Sequence, residues 1–333
     1  MSIEKEKMEQ NILSCIFEDG RQCKITKTEQ PDFILNYKGA MIGEVAVGIE
    51  ITELYYDATS ARLNNKKGYI RDLLEGQNIH KDDKSVLTVK EVKYFSQSLG
   101  GKPFNTKMLF LPNYTIDDYR NAFLRTLRKK HAKHANYNKS VNQSSLVIYD
   151  RENYSGKLKR QDFVRAFFNE SVMEEIKISP FDEIYLITCF EGSNDEFYIQ
   201  LKYCVLQNEL YRLLEYIEKN SLHDKSKGMG LSLNDVFAEV LVKNGYVGIK
   251  KSECNQIDAV RCNRYAFNIS EIDKKISVFD DFPKLTNAGV DFSLSENKKL
   301  FTTKSFRKFL KESKHRYVSF DVGFKVLRNW REG

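Results

Sequence analysis

Asp32-Phe33-Ile34-Leu35-Asn36-Tyr37, a turn at Lys38-Gly39-Ala40, and then Met41 to Leu54 (Met-Ile-Gly-Glu-Val-Ala-Val-Gly-Ile-Glu-Ile-Thr-Glu-Leu) decide the fold of this chain. The second run alternates strictly. Val45, Val47, Ile49 and Ile51 point one way, and Glu44, Ala46, Gly48, Glu50 and Thr52 the other, because successive side chains of a strand alternate between its faces. This pattern predicts a hairpin with one apolar face on a core and one polar face free for chemistry. Upstream, residues 4–18 carry an apolar stripe (Met8, Ile12, Leu13, Cys15, Ile16, Phe17) at helical spacing, and Asp19-Gly20 stops it.

Downstream of the hairpin, residues 55–114 are polar and weakly patterned, with a helix expected in 58–75 and a strand in 85–95. Thr115-Ile116-Asp117-Asp118 is a helix start, Thr115 as cap and two acids in the first turn. The helix it opens runs to Tyr137, with a basic second half: Arg125, Arg128, Lys129, Lys130 and Lys133. Ser145 to Asp150 is a near-continuous apolar run, the pattern of a strand buried on both faces. A helix at 160–177, a buried strand at 182–190, an edge strand at 197–202 and an amphipathic helix at 204–219 follow. The order predicts an α/β (α+β) fold, a mixed sheet flanked by helices over residues 1–220. The small, polar stretch 221–234, with Gly228 and Gly230, reads as a linker. A smaller C-terminal α+β domain is expected at 235–333, with a helix at 235–244, strands at 265–269 and 317–326, and a basic helix at 303–314.

With 41% hydrophobic residues, 18 Tyr and 22 Phe among 333 residues, the chain has material for a real core, which excludes wholesale disorder. Five prolines and 17 glycines exclude a fibrous protein. The net charge of +7 is unevenly placed. From Lys298 to Gly333 eleven Lys and Arg stand against three acids, an excess of +8. A concentrated basic end fits an anionic polymer as partner. The charged N-terminus and the lack of any long apolar window predict a cytoplasmic protein. Six scattered cysteines, without a C-x-x-C pair, read as buried free thiols.

Pro31-Asp32 opens one strand, and Glu50-Ile51-Thr52 lies on its hairpin neighbour. Two carboxylates on adjacent strands can converge, and two carboxylates with a backbone carbonyl and waters are what a hard cation such as Mg²⁺ requires. Helix, hairpin with Pro-Asp and Glu-x-Thr, basic helix and buried strand, in that order over about residues 4–190, resemble the PD-(D/E)XK nuclease superfamily.

That resemblance implies a restriction-endonuclease-like fold and a Mg²⁺- or Mn²⁺-dependent nuclease acting on nucleic acid, DNA ahead of RNA. Asp32 and Glu50 would hold the metal with help from the Ile51 carbonyl. The family pattern has lysine where this chain has Thr52. Some branches carry that lysine on the following helix, where Lys130 and Lys133 are the candidates. Spacing favours Lys130, three residues from Leu127 and seven from Phe123 on the inward side. Glu9 on the first helix is a further candidate carboxylate, as first-helix glutamates are in parts of the superfamily. Lys304, Arg307, Lys308 and Lys311, with the rest of the basic end, would grip the nucleic-acid backbone. The resemblance places such proteins in bacterial restriction or phage defence, alone, as a homodimer or with a defence-system partner protein. Thr52 keeps a second reading in play: a catalytically inactive nuclease fold that binds nucleic acid or a partner protein. His131 and His134, spaced i, i+3 without a third ligand, read as a solvated basic face.

Overall fold

The computed structural model of the chain describes residues 3–17, 23–39, 43–95, 101, 103–137, 141–150, 154–193, 195–222, 224, 228, 230–246, 248–254, 257–262, 264–270, 275–280, 282, 290–291, 304, 308 and 323–327. It shows a mixed α+β protein. Helix α1 (Ile3–Phe17) is followed by a meander of β1 (Cys23–Lys27), β2 (Phe33–Gly39) and β3 (Gly43–Leu54). Both pairings are antiparallel. Strands β6 (Gln143–Asp150), β7 (Glu183–Cys189), β8 (Glu196–Gln200) and, from the far end of the chain, β14 (Phe324–Leu327) complete a seven-stranded sheet in the order β1-β2-β3-β6-β7-β8-β14. Strands β6 and β7 run parallel.

The alternation read in β3 does what it should on one side. Phe33, Leu35, Tyr37, Val45, Val47, Ile49 and Ile51 pack with Ile12, Leu13 and Phe17 of α1 into one core, each full burial contributing ~1.5–3 kcal/mol. The other side is not free, as expected for a half-solvated strand, because Gly48 and Glu50 at its centre are buried too.

Two compact units divide the chain, one of Met1–Glu53 with Leu127–Gly333, the other of Leu54–Thr126. The boundary expected at 221–234 is therefore not where the units part. Helix α7 (Leu201–Lys219) and helix α8 (Leu233–Lys243) lie on either side of that stretch and share a core. Leu210, Leu213 and Ile217 pack with Val236, Phe237 and Val240, and with Val260 and Phe267 of a second sheet. That sheet runs β12 (Ile276–Asp280), β11 (Tyr265–Ile269), β10 (Ile257–Cys262), β9 (Ile249–Cys254), β13 (Val290–Asp291). Gly228 is helical and Gly230 sits in a turn, and a Ser232–Asp235 capping box starts α8. Arg264 donates to the Tyr185 hydroxyl of β7 at 2.9 Å, and the Tyr265 hydroxyl donates to Glu183. These buried bonds tie the second sheet to the first.

Other expectations shift in detail. Residues 160–177 form two helices, α5 (Arg160–Phe167) and α6 (Glu170–Lys177), parted where the Asn169 side chain accepts from Val172 N–H and caps the second. Strand β8 is internal, not an edge, because β14 pairs with its outer side. Of the basic helix expected at 303–314, Lys304 and Lys308 are described, both helical and exposed; Arg307, Lys311 and the strand residues 317–322 lie outside the described residues. Cys15, Cys23, Cys189, Cys204 and Cys262 are free thiols. No helix among the described residues is long and apolar enough to cross a membrane.

The second unit holds α2 (Ala58–Asn65), α3 (Tyr69–Glu75) and a two-stranded ribbon of β4 (Thr88–Tyr94) and β5 (Phe104–Phe110). Helix α4 (Ile116–His134) carries the chain out of it. Weak periodicity hid the ribbon's second strand, since Lys107 and Asn105 interrupt an otherwise apolar run.

Candidate active site

Register brings the two carboxylates together. Phe33 pairs with Ile49 and Ile34 with Gly48, so Asp32, one residue before β2, comes to lie across from Glu50. Both then face away from the α1 core. The turn that delivers Asp32 is held locally. Thr28 N–H donates to the Asp32 carbonyl at 2.9 Å, and the Thr28 hydroxyl donates to the Pro31 carbonyl. Gly48 makes room for it, because a Cβ there would stand 2.7 Å from Pro31 Cγ and 3.1 Å from Val141 Cγ1. The turn could not approach β3 over any larger residue.

Ile51 N–H donates to Asp32 Oδ2 at 2.8 Å. What Ile51 visibly contributes is this N–H, while its side chain sits in the α1 core. The Lys130 ammonium of α4 donates to Glu50 Oε1. Both partners are largely buried, Glu50 with 8% and Lys130 with 13% of the side chain exposed. Glu50 Oε2 is buried and has no hydrogen-bond partner. Lys133, the alternative cation, is exposed, as is Lys129; Thr52 is half-buried. The helical spacing that favoured Lys130 is thus what the fold realises.

Burial is the main force on Asp32 and raises its pKa above the ordinary 3.8. The Ile51 N–H opposes that, Glu50 adds to it, Lys130 opposes it, and Glu9 adds again. Glu9, on α1, is itself buried and lies 3.6 Å from the Lys27 ammonium and 3.8 Å from that of Lys5. One residue escaped the sequence reading. Tyr137, three residues past α4, is buried with a hydroxyl directed at Glu50; burial first and then the Glu50 and Asp32 charges push its pKa up. No spacing rule marked it, because it follows the helix end and its position depends on the turn after His134.

His131 and His134 do not form the solvated face expected of them. His131 Nδ1 lies 3.3 Å from Glu175 and His134 Nε2 lies 2.9 Å from the Ser144 hydroxyl. Burial lowers the pKa of both rings, so they are neutral packing groups near pH 7.

Among the described residues no group of three or more His, Cys, Asp and Glu side chains is arranged to hold a metal ion. Asp32 and Glu50 are two oxygen donors, which is the number from which Mg²⁺ is commonly held, its other ligands being waters and substrate phosphate. The orphaned, buried Glu50 Oε2 is the acceptor such a cation would satisfy. Comparison of the chain with protein-family models, with curated proteins and with solved structures finds no match in any of the three.

Asp32 leads to a testable sign. A carboxyl that holds its proton more tightly when folded favours the fold below its unfolded pKa, and that contribution is lost as pH rises through the folded value. At neutral pH the ionised Asp32 is held against its preference. Asp32→Asn keeps an acceptor for Ile51 N–H, so the melting temperature is expected to rise at pH 7, with no gain near about pH 3. An unchanged or lowered melting temperature at pH 7 contradicts the assignment of strain to this carboxylate.

Proposed function

We propose that this chain is a metal-dependent nuclease of the restriction-endonuclease-like, PD-(D/E)XK kind, hydrolysing phosphodiester bonds in nucleic acid, DNA ahead of RNA. The observation that carries the reading is the convergence of Asp32, Glu50 and the Lys130 ammonium at one end of a buried hairpin. Family pattern alone would place a lysine where Thr52 stands. Lys130 of α4, which follows α2 and α3 in the chain, donates to Glu50 and would supply the cation in its place.

Asp32 and Glu50 would hold Mg²⁺ or Mn²⁺, which when bound lowers the pKa of water and offsets charge on phosphoryl oxygens. Asp32 is held by the Ile51 N–H, so its carboxylate does not reorient on binding. Lys130, which donates to Glu50, would exchange that contact for a non-bridging phosphate oxygen as negative charge grows there. Burial and the Glu50 charge push the Tyr137 pKa up, so its hydroxyl stays protonated beside Glu50, and it would be free to donate to that carboxylate or to a bound water. Burial of Glu50, with Asp32 half-buried beside it, reduces the screening of these charges by bulk water. Lys304 and Lys308, both helical and exposed, would contact the backbone of the polymer.

The test is incubation of the purified chain with linear, circular and single-stranded substrates, with Mg²⁺ and with EDTA. Cleavage that needs the metal and disappears in Glu50→Gln is expected. Binding without turnover under every condition would favour the inactive nucleic-acid-binding module instead.

A further inference from the structure

One face of the β4–β5 ribbon carries three rings, all of them exposed. Cross-strand pairs Thr88–Phe110, Lys90–Met108, Val92–Thr106 and Tyr94–Phe104 share that face. Tyr94, Phe104 and Phe110 are 48%, 40% and 44% exposed, which is unusual for rings of this size. Val89, Glu91 and Lys107 on the opposite face line an open pocket with Leu73, Ile79 and Leu87, which leaves the ring-bearing face free of it. Tyr94 and Phe104 rings meet edge to face at 5.5 Å between centroids, and the Lys90 ammonium lies 5.5 Å from the Phe110 ring centre.

We propose that this face binds unpaired nucleic acid, its rings stacking on bases while Lys90 meets the phosphates. The inference rests on the nuclease reading and deepens it by assigning a single-stranded segment of the substrate to the inserted unit. Charge favours that occupant. Residues 88–110 hold four lysines and one glutamate, and Lys90 is the single charged group on the free face. Base faces stack on aromatic side chains whatever the sequence, and lysines beside them supply the phosphate contacts. A duplex groove would be read by hydrogen-bonding side chains, and this face offers little beyond Thr88 and Thr106. Size argues against a second protein as sole occupant. Two seven-residue strands present a face about 23 Å long and 10 Å wide, on the order of a quarter to a third of the ~800 Å² per partner that a stable interface buries. Chain order links the unit to cleavage: its residues begin four after Glu50 and end four before Lys130.

The experiment measures fluorescence anisotropy of a labelled single-stranded oligonucleotide and of a blunt duplex of equal length, with the full chain in EDTA so that nothing is cut. Tyr94→Ala with Phe104→Ala is expected to weaken single-strand binding about ten- to hundredfold and duplex binding by less than about twofold. Lys90→Gln, which leaves every ring in place, is expected to flatten the single-strand log–log salt slope by about 0.7. Circular dichroism confirms that the exposed substitutions leave the fold intact. Wild-type binding that the ring variants leave unchanged overturns the ribbon assignment and leaves the nuclease reading standing. Sedimentation showing that the ring variants turn a dimer into a monomer makes the face a contact between copies and also overturns it. A wild-type chain that binds neither DNA nor RNA removes both readings together.

Discussion

Lys130→Ala is expected to slow metal-dependent cleavage about 10²–10³-fold while changing substrate affinity little. One preorganised donor aimed at developing charge is worth that much in rate, and an interaction made mainly in the transition state affects turnover more than binding. The ammonium already donates to Glu50 from a mostly buried position, so it needs no new ordering to act. Lys129→Ala and Lys133→Ala are the controls, since both side chains are exposed. Single-turnover rates on one oligonucleotide separate the three variants. Equal rates in all of them would show that the cation on α4 is a structural partner of Glu50 and no more.

The second large effect lies in the inserted unit. Asp83 is fully buried and accepts from the Thr59 hydroxyl at 2.6 Å, Arg62 Nε at 2.9 Å, Arg62 Nη2, and the Tyr69 hydroxyl at 2.5 Å. This one carboxylate joins α2, α3 and the turn at 83–85. Asp83→Ala is expected to destabilise the unit by ~3–5 kcal/mol, because it leaves a guanidinium and two hydroxyls without their acceptor. The Arg62 hydrogen bond is the first cause that holds the Asp83 pKa well below the ordinary 3.8. Stability from such a group is present above its unfolded pKa and is lost as pH falls through the folded value. Residues 54–126 of the native chain should therefore lose protection in strong acid, and those of the variant at neutral pH. Amide hydrogen exchange over 54–126 reads both; native-like protection in Asp83→Ala contradicts this role.

Much of the site was legible because it rests on short-range rules. Period-two alternation placed Glu50 opposite the core side of β3, and the Pro31-Asp32 turn placed the second carboxylate beside it. Helical spacing from Leu127 favoured Lys130 and left Lys133 as the alternative; the fold turns Lys130 toward Glu50 and leaves Lys133 exposed. What escaped depends on long-range packing. Strand β14 joins the large sheet from more than 120 residues beyond β8, and no local pattern in Phe324–Leu327 names its partner. Asp83 sits in a polar stretch, Asp82-Asp83-Lys84, where either acid could be the surface one; only the approach of Thr59, Arg62 and Tyr69 separates them. The glycines near 228–230 read as a linker because composition reports flexibility and not the core that Leu213 and Phe237, on either side, share.

As proposed, Asp32 and Glu50 form a cation site under the control of Lys130. Electron paramagnetic resonance of Mn²⁺ titrated into the full chain measures that site without any substrate. The account predicts saturable Mn²⁺ binding by the wild type, its loss in Glu50→Gln, and binding retained or tightened in Lys130→Ala, where the competing ammonium is gone. Mn²⁺ bound equally by wild type and Glu50→Gln, or by neither, would contradict it.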